Sequence, residues 1–264
     1  MKKLFYISLA LLAWTACGTS NTKDNDPWGQ VDPGEHTQST VVESSVSSSV
    51  LKQSMSYSVW LPADYDKSKR YPFLYLLHGY EYGDQSRLDR CWLDKGNAAK
   101  IADDYQKAGG VPMVIVMPNG MSYFYQGDYE TYMHEELMPR VEEDFHCNGK
   151  RAIAGLSMGG YGTLYHALKY PEKFLYAYAM SPAADVSMAN FLNGHDDKSV
   201  FPVFTIEVGT EDMTVDNSKA KSLYNKLVKG GLTCEWVERG GTHDWAFWQG
   251  CLPKALIKVG NSFK

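Results

Sequence analysis

Hydrophobic and polar positions alternate near the start of the globular region. Residues 55–61 read MSYSVWL, which places Tyr57, Val59 and Leu61 on one face of a strand by period-two alternation. The Ser-rich stretch 39–49 is interleaved with valines, a mixture that favours an edge strand over a linker. Two adjacent strands, antiparallel to each other, are therefore expected to open the domain.

From residue 73 onward, continuous apolar runs alternate with longer mixed segments. The pattern predicts strands at 73–78, 111–118, 151–156, 174–180, 203–209 and 234–238, and helices at 95–107, 129–145, 158–169, 218–229 and the C-terminus. Strands that are apolar throughout are typical of a mostly parallel sheet covered by helices on both faces. We therefore expect an α/β protein whose ligands bind at the carboxyl ends of the strands.

Composition and charge narrow the function classes. The chain is 44% hydrophobic and 22% charged, as expected of a globular protein and not of a disordered chain or coiled coil. Its formal net charge is −5, which gives no indication of a nucleic-acid partner. We expect one catalytic domain over residues 37–264.

The N-terminus has the pattern of an export signal. Two lysines precede an apolar run, 4–14, that is too short to span a bilayer. The run ends in Trp14-Thr15-Ala16-Cys17, which resembles the lipobox of bacterial lipoproteins. That resemblance implies a signal peptide over 1–16 and a lipidated Cys17; the alternative is an ordinary signal peptide cut near Ala16.

Residues 17–36 are polar and lack an apolar period, so they are expected to form a flexible tether. The chain would then be exported and anchored to the cell envelope, touching the membrane only through Cys17. Charged residues at 23–26 fit either a signal for the outer surface or a solvated linker.

Cysteine and histidine spacing gives no sign of a metal site, and we expect neither a metal nor a cofactor. Four cysteines follow the tether, an even number that permits three full disulfide pairings in an oxidising compartment. They are Cys91, Cys147, Cys234 and Cys251, and the sequence does not choose among the pairings.

A G-x-S-x-G motif at 155–159 supplies a candidate nucleophile, Ser157. The pentapeptide alone occurs by chance, but here it joins a predicted strand directly to a predicted helix. A nucleophile elbow needs this context, because the turn is strained and its neighbours pack too closely for a Cβ. Ser157 is therefore the expected nucleophile.

A serine needs a base to activate it and an acid to orient that base. Where the serine lies in a nucleophile elbow, the acid follows it in the chain and the histidine follows the acid. His166 falls inside a helix, and no strand-end acid precedes His195. His243 follows the last strand in a Gly-flanked loop and is the expected base.

The acid is expected just beyond the preceding strand, where GTEDM supplies two carboxylates. We choose Asp212 and keep Glu211 as the alternative. Asp216 is further along the loop and Asp244 is beside the base, which makes both less suitable.

An acyl-transfer site also needs backbone N–H groups aimed at the developing oxyanion. Met158 supplies one as the residue after the nucleophile. Gly79 permits a turn that would point the N–H of Tyr80 inward. His78, at the end of that strand, is expected to hold the loop rather than act as a base.

In order and spacing, LLHGY, VMPNG, YETYMHEELMPRVEEDF, GLSMGGYGTL, GTEDM and GTHDWAFW resemble the esterase D family over about residues 50–260. The family includes feruloyl and acetyl xylan esterases of carbohydrate esterase family one, S-formylglutathione hydrolases and mycolyltransferases. The resemblance implies the α/β-hydrolase fold, with its triad falling on Ser157, Asp212 and His243 and its oxyanion hole on Tyr80 and Met158.

Export disfavours glutathione thioesters, so the expected substrate is an acylated polysaccharide or oligosaccharide of plant cell walls that loses feruloyl or acetyl groups. Trp245, Trp248 and Tyr125 would form an aromatic wall for the substrate, or would simply be packing. A general short-chain esterase and an acyltransferase of the same family are alternatives. A catalytically silent, glycan-binding lipoprotein is the alternative from a different class.

Overall fold

The chain folds around one eight-stranded sheet in a computed structural model that describes residues 38–264. The strands are β1 (Thr40–Ser48), β2 (Gln53–Leu61), β3 (Tyr71–Leu77), β4 (Val114–Pro118), β5 (Cys147–Leu156), β6 (Tyr176–Met180), β7 (Val203–Gly209) and β8 (Cys234–Arg239). Their order is β1-β2-β4-β3-β5-β6-β7-β8. The β1/β2 and β2/β4 pairs are antiparallel and all others are parallel, which confirms the predicted α/β fold. The predicted signal peptide, Cys17 and the tether lie outside the described residues.

Helices flank the sheet on both faces. They are α1 (Cys91–Asp94), α2 (Ala98–Lys107), α3 (Asp128–Thr131), α4 (Met138–Asp144), α5 (Met158–Lys169), α6 (Asn217–Lys229) and α7 (Trp245–Ser262). Short 3₁₀ turns occupy Leu88–Arg90, Pro171–Lys173, Val186–Leu192 and Lys198–Val200. Within residues 38–264, no helix has the length and hydropathy needed to cross a membrane.

The helix predicted at 129–145 is interrupted. A π-helical turn, Tyr132–Leu137, separates α3 from α4, and Pro139 follows in the first turn of α4. Proline has no N–H to donate and its ring clashes with the carbonyl four residues earlier. Widening the preceding turn accommodates it without ending the helical path.

Two hydrophobic cores lie on opposite faces of the sheet, and alternation along each central strand divides residues between them. In β3, Phe73 and Tyr75 join the core that α5 and α6 cover, whereas Leu74 and Leu76 join the core under α2 and α7. Every residue of β3 is therefore buried, which explains its continuous apolar run.

The order in which the chain adds strands to the sheet reverses at β3. The chain passes from β3 to β4 on one side and then crosses to β5 on the other, where Leu77 pairs with Gly155 in parallel register. The loops after β3 and β5 consequently leave the sheet side by side. This is the place where open α/β sheets bind ligands.

The four cysteines of the domain carry free thiols. Cys147 begins β5 and Cys234 begins β8, with β6 and β7 between them. Three strand spacings amount to about 14 Å, far beyond the roughly 4–7 Å between the Cα atoms of a disulfide. Cys91 and Cys251 lie buried in α1 and α7. None of the pairings that the even count permits is formed.

Candidate active site

Ser157 occupies a sharp turn between β5 and α5. Its φ of 52° lies in the left-handed region, and its N–H donates to the Met180 carbonyl at 2.9 Å. A Cβ on Gly155 would lie 2.4 Å from the Gly159 carbonyl oxygen, and one on Gly159 would lie 2.4 Å from that of Leu77. Both glycines are thus required by close backbone contacts, as a nucleophile elbow demands.

His243 lies between the serine and an acid, in the loop from β8 to α7. Its Nε2 is 2.9 Å from Ser157 Oγ, and its Nδ1 is 2.7 Å from Asp212 Oδ2. An ionised carboxylate only accepts hydrogen bonds, so Nδ1 carries the proton in this pair and Nε2 remains free to accept the serine hydroxyl. The three side chains form one hydrogen-bonded chain.

Asp212 is held rigidly at the start of the loop after β7. Its side chain is fully buried, and its second oxygen, Oδ1, accepts the N–H groups of Thr214 at 2.9 Å and Val215 at 3.3 Å. These bonds aim Oδ2 at the imidazole and satisfy the charge that burial would otherwise penalise.

The other carboxylates considered from the sequence have different contacts. Glu211 accepts the N–H of Gly241 and does not reach the imidazole of His243. Asp216 caps α6 through the Ser218 N–H at 2.9 Å, and Asp244 caps α7 through the Phe247 N–H at 2.9 Å. Asp212 is therefore the carboxylate that meets the histidine.

The residues predicted for the oxyanion hole flank Ser157. Met158 is the first residue of α5, so its N–H belongs to the positive end of the helix. Gly79 packs against Ser157 on the other side, since a Cβ placed on it would lie 3.4 Å from Ser157 Cβ. Tyr80, next in the chain, is 42% exposed.

His78 sets the orientation of the peptide between Gly79 and Tyr80. Its Nε2 accepts the Gly120 N–H at 2.7 Å, so the proton is on Nδ1, which donates to the Gly79 carbonyl at 2.6 Å. In a trans peptide the carbonyl and the following N–H point in opposite directions. The Tyr80 N–H consequently points away from His78. Burial lowers the pKa of His78 to about 4, which keeps this neutral tautomer at ordinary pH.

The three residues predicted as an aromatic wall have different environments. Trp245 is half-buried, with its ring 5.3 Å from that of Trp248. Trp248 is only 6% exposed and meets the edge of His243 at 4.9 Å between centroids, so it backs the imidazole. Tyr125 is fully buried and donates to the His78 carbonyl at 2.9 Å. Its assignment to a substrate surface is wrong, because no substrate can contact it there.

Large apolar side chains that the sequence analysis did not place in the site are exposed on its loops. Tyr82 is 90% exposed and its ring is 5.1 Å from that of Tyr80, while Met213, directly after Asp212, is 95% exposed. The loops around Ser157 therefore offer apolar contacts to a ligand.

A buried ion network connects the elements next to the loops that carry Asp212 and His243. The sequence analysis did not predict it. Glu207 in β7 is fully buried and accepts from Arg239 Nε at 2.5 Å, from Lys254 and from Tyr178. Arg239, at the end of β8, also donates to the Phe247 carbonyl in α7. The signal available in the sequence was Glu207, a single charged residue within the otherwise uncharged strand VFTIEVG. The network joins β7, β8 and α7, three of the four elements that flank the two loops.

Comparisons with known proteins show which family the chain resembles. The chain matches a family model described as "Putative esterase" over residues 48–259. It is 31% identical over 216 residues to an endo-1,4-beta-xylanase/feruloyl esterase from Xylanibacter ruminicola, aligning 75% of this chain with 28% of that longer protein. It is 26% identical over 262 residues to an acetyl esterase from Caldicellulosiruptor saccharolyticus, covering 79% of this chain and 94% of the relative.

A solved structure of a ferulic acid esterase superimposes with a TM-score of 0.78 at 27% identity, covering 87% of this chain and 100% of the other. Together these similarities confirm the resemblance to the esterase D family and the α/β-hydrolase fold. They also confirm the expected reaction class, carboxylic ester hydrolysis.

Proposed function

The chain belongs to the esterase family and is a carboxylic ester hydrolase, and from this premise we propose that Ser157, His243 and Asp212 are its catalytic triad. The observation that carries the proposal is the unbroken hydrogen-bonded chain, 2.9 Å from serine to histidine and 2.7 Å from histidine to aspartate. This is the geometry in which a base activates a serine and an acid orients the base.

In the proposed cycle, His243 Nε2 takes the Ser157 proton as Oγ attacks the ester carbonyl carbon. The N–H groups of Met158 and Tyr80 stabilise the oxyanion. Collapse of the tetrahedral intermediate breaks the bond to the alcohol, which leaves with the proton from His243. Water, deprotonated by the same imidazole, then hydrolyses the acyl-enzyme and restores Ser157.

Replacing Ser157 with alanine tests the assignment. Loss of the nucleophile is expected to lower kcat for p-nitrophenyl acetate by about 10⁴-fold or more without changing the fold. Far-ultraviolet circular dichroism reports the fold, and Ser199→Ala, at an exposed serine in a 3₁₀ turn, is the control. Hydrolysis that persists at the control's rate in Ser157→Ala would exclude Ser157 as the nucleophile.

We also propose that the substrate is an acylated plant cell-wall polysaccharide or oligosaccharide, from which feruloyl or acetyl groups are removed. Similarity to a feruloyl esterase and an acetyl esterase supports this class. The exposed rings of Tyr80 and Tyr82 beside the site would supply flat apolar contacts to an aromatic acyl group or a sugar.

Rates on methyl ferulate, acetylated xylan and p-nitrophenyl butyrate discriminate among the substrates. A kcat/KM that is highest on either of the first two supports the proposal. Highest activity on the butyrate would indicate a general short-chain esterase instead.

For location, we propose export and attachment to the cell envelope through a lipid on Cys17. Support comes from the similarity of residues 14–17 to a lipobox. The full chain is expected in the membrane fraction and Cys17→Ala in the soluble fraction, as measured by immunoblotting after fractionation. Equal partitioning of both forms would overturn the anchor.

A further inference from the structure

The acid and base loops of the site are joined by a contact that none of the triad residues makes. Glu211 donates its backbone N–H to the Gly241 carbonyl at 3.1 Å, and its side-chain Oε2 accepts the Gly241 N–H. One residue thus holds both backbone polar groups of Gly241. The second carboxylate oxygen accepts the Thr210 hydroxyl at 3.0 Å, which fixes the side-chain conformation.

Close backbone packing accompanies these hydrogen bonds. A Cβ on Gly209 would lie 2.3 Å from the Gly241 carbonyl oxygen, and a Cβ on Gly241 would lie 2.4 Å from the Phe247 ring. Gly241 also has a φ of 143°, a conformation that favours glycine. The two loops therefore meet at a site where only glycines fit, and Glu211 bridges them there.

The bridge between Glu211 and Gly241 lies next to two residues of the proposed triad. Glu211 directly precedes Asp212, and Gly241 is two residues before His243. The imidazole must meet Asp212 and Ser157 at once, within 2.7 and 2.9 Å. Small displacements of such a group are costly, since about 1 Å of misplacement can reduce a rate about 100-fold.

We propose that Glu211 is a positioning residue that clamps the His243 loop to the Asp212 loop through the Gly241 N–H. The inference rests on the proposed triad. Glu211 is exposed, so core packing does not account for its contact with Gly241, whereas the hydrogen bond from the Gly241 N–H to the side-chain oxygen does.

Two conservative variants separate the effect of side-chain length at position 211 from the effect of its charge. Glu211→Gln keeps an oxygen at the same distance from the backbone and can still accept the Gly241 N–H. Glu211→Asp keeps the charge but is one methylene shorter and cannot reach it. For p-nitrophenyl acetate we expect kcat to fall about 10- to 50-fold in the Asp variant, with KM changed less than about twofold, and to stay within about threefold of wild type in the Gln variant.

Asp216→Ala is the matched control. It removes an exposed carboxylate from the same loop, where Asp216 caps α6, and leaves the Gly241 contact intact. It should lower thermal stability by the loss of a cap while kcat stays within about twofold of wild type. The rate at which a fluorophosphonate labels Ser157 should fall in Glu211→Asp in parallel with kcat.

Wild-type kcat in the Asp variant, or an equal loss in the Asp and Gln variants, would overturn the clamp. Failure of the proposed triad gives a different result, because Ser157→Ala would then retain activity whatever the Glu211 variants do.

Discussion

Individual residues around Ser157 take their roles from the direction of their hydrogen bonds. His78 lies at the end of an apolar strand and looks like a candidate base, yet both of its ring nitrogens are engaged by backbone groups. It cannot accept a proton without losing the Gly120 N–H. We therefore propose that His78 contributes to the reaction by orienting the Gly79 carbonyl and, through it, the Tyr80 N–H.

Substitution of His78 distinguishes its two hydrogen bonds. Asparagine can still donate to the Gly79 carbonyl, whereas glutamine retains the more distant acceptor for the Gly120 N–H and loses that donor. Because the donor orients the Tyr80 N–H, His78→Gln is expected to lower kcat about 100-fold and His78→Asn about tenfold or less. Steady-state kinetics on p-nitrophenyl acetate measure both variants, with melting temperatures as the check on folding. A glutamine variant as active as wild type would contradict this role.

At the scale of secondary structure elements, the site depends on how closely strands, turns and helices approach one another. Gly159, in the first turn of α5, lies against the Leu77 carbonyl, where a Cβ would be 2.4 Å away. The N-terminus of α5 is thereby brought against the end of β3, and the Met158 N–H and the Tyr80 loop meet at Ser157. The pentapeptide at 155–159 is thus the point where α5 contacts the parallel strands β3 and β5.

The acid and base loops depend on their elements in the same way. β7 and β8 pair in parallel from Phe204 with Cys234 to Gly209 with Arg239. The loop carrying Asp212 and the loop carrying His243 therefore start at the same level. The buried network of Glu207 and Arg239 then fixes α7 against these strands, so that the loop leading into α7 has little freedom.

Over the whole molecule, buried histidines make stability sensitive to acid. Burial lowers the pKa of both His78 and His166 to about 4, against about 6.5 in the unfolded chain. Between pH 6.5 and 4 the unfolded state binds more protons than the native state, so stability is lost as the pH falls through this window. Each histidine contributes a slope of about 1.4 kcal/mol per pH unit there.

His166→Gln tests this dependence. The free energy of unfolding is measured with urea between pH 4.5 and 6.5. Its slope against pH should be smaller than that of wild type by about 1.4 kcal/mol per pH unit, because the unfolded variant binds one proton fewer. His195→Gln, at a residue that is not buried, is the control and should leave the slope unchanged. An unaltered slope in His166→Gln would show that His166 is not the group responsible.

The sequence alone determined the succession of strands and helices and the order of the candidate catalytic residues. Periodicity is local, and it records which faces of each element are buried, so the apolar pattern by itself predicts β3 and the helix after Ser157. Ser157, His243 and Asp212 followed from motif order, and the structure brings them within hydrogen-bonding distance of one another.

Only the tertiary structure decided the features that depend on residues distant in the chain. Glu211 and Asp212 are adjacent carboxylates, and their different contacts arise from the loop 30 residues away that approaches them. Tyr125 resembles a surface aromatic because the loop that carries it has no apolar period, yet it fills the space beside Gly120 and Gly162, where a Cβ would lie within 2.7 Å of its ring. Burial and hydrogen-bond partners are properties of the packed chain, and local sequence patterns do not encode them.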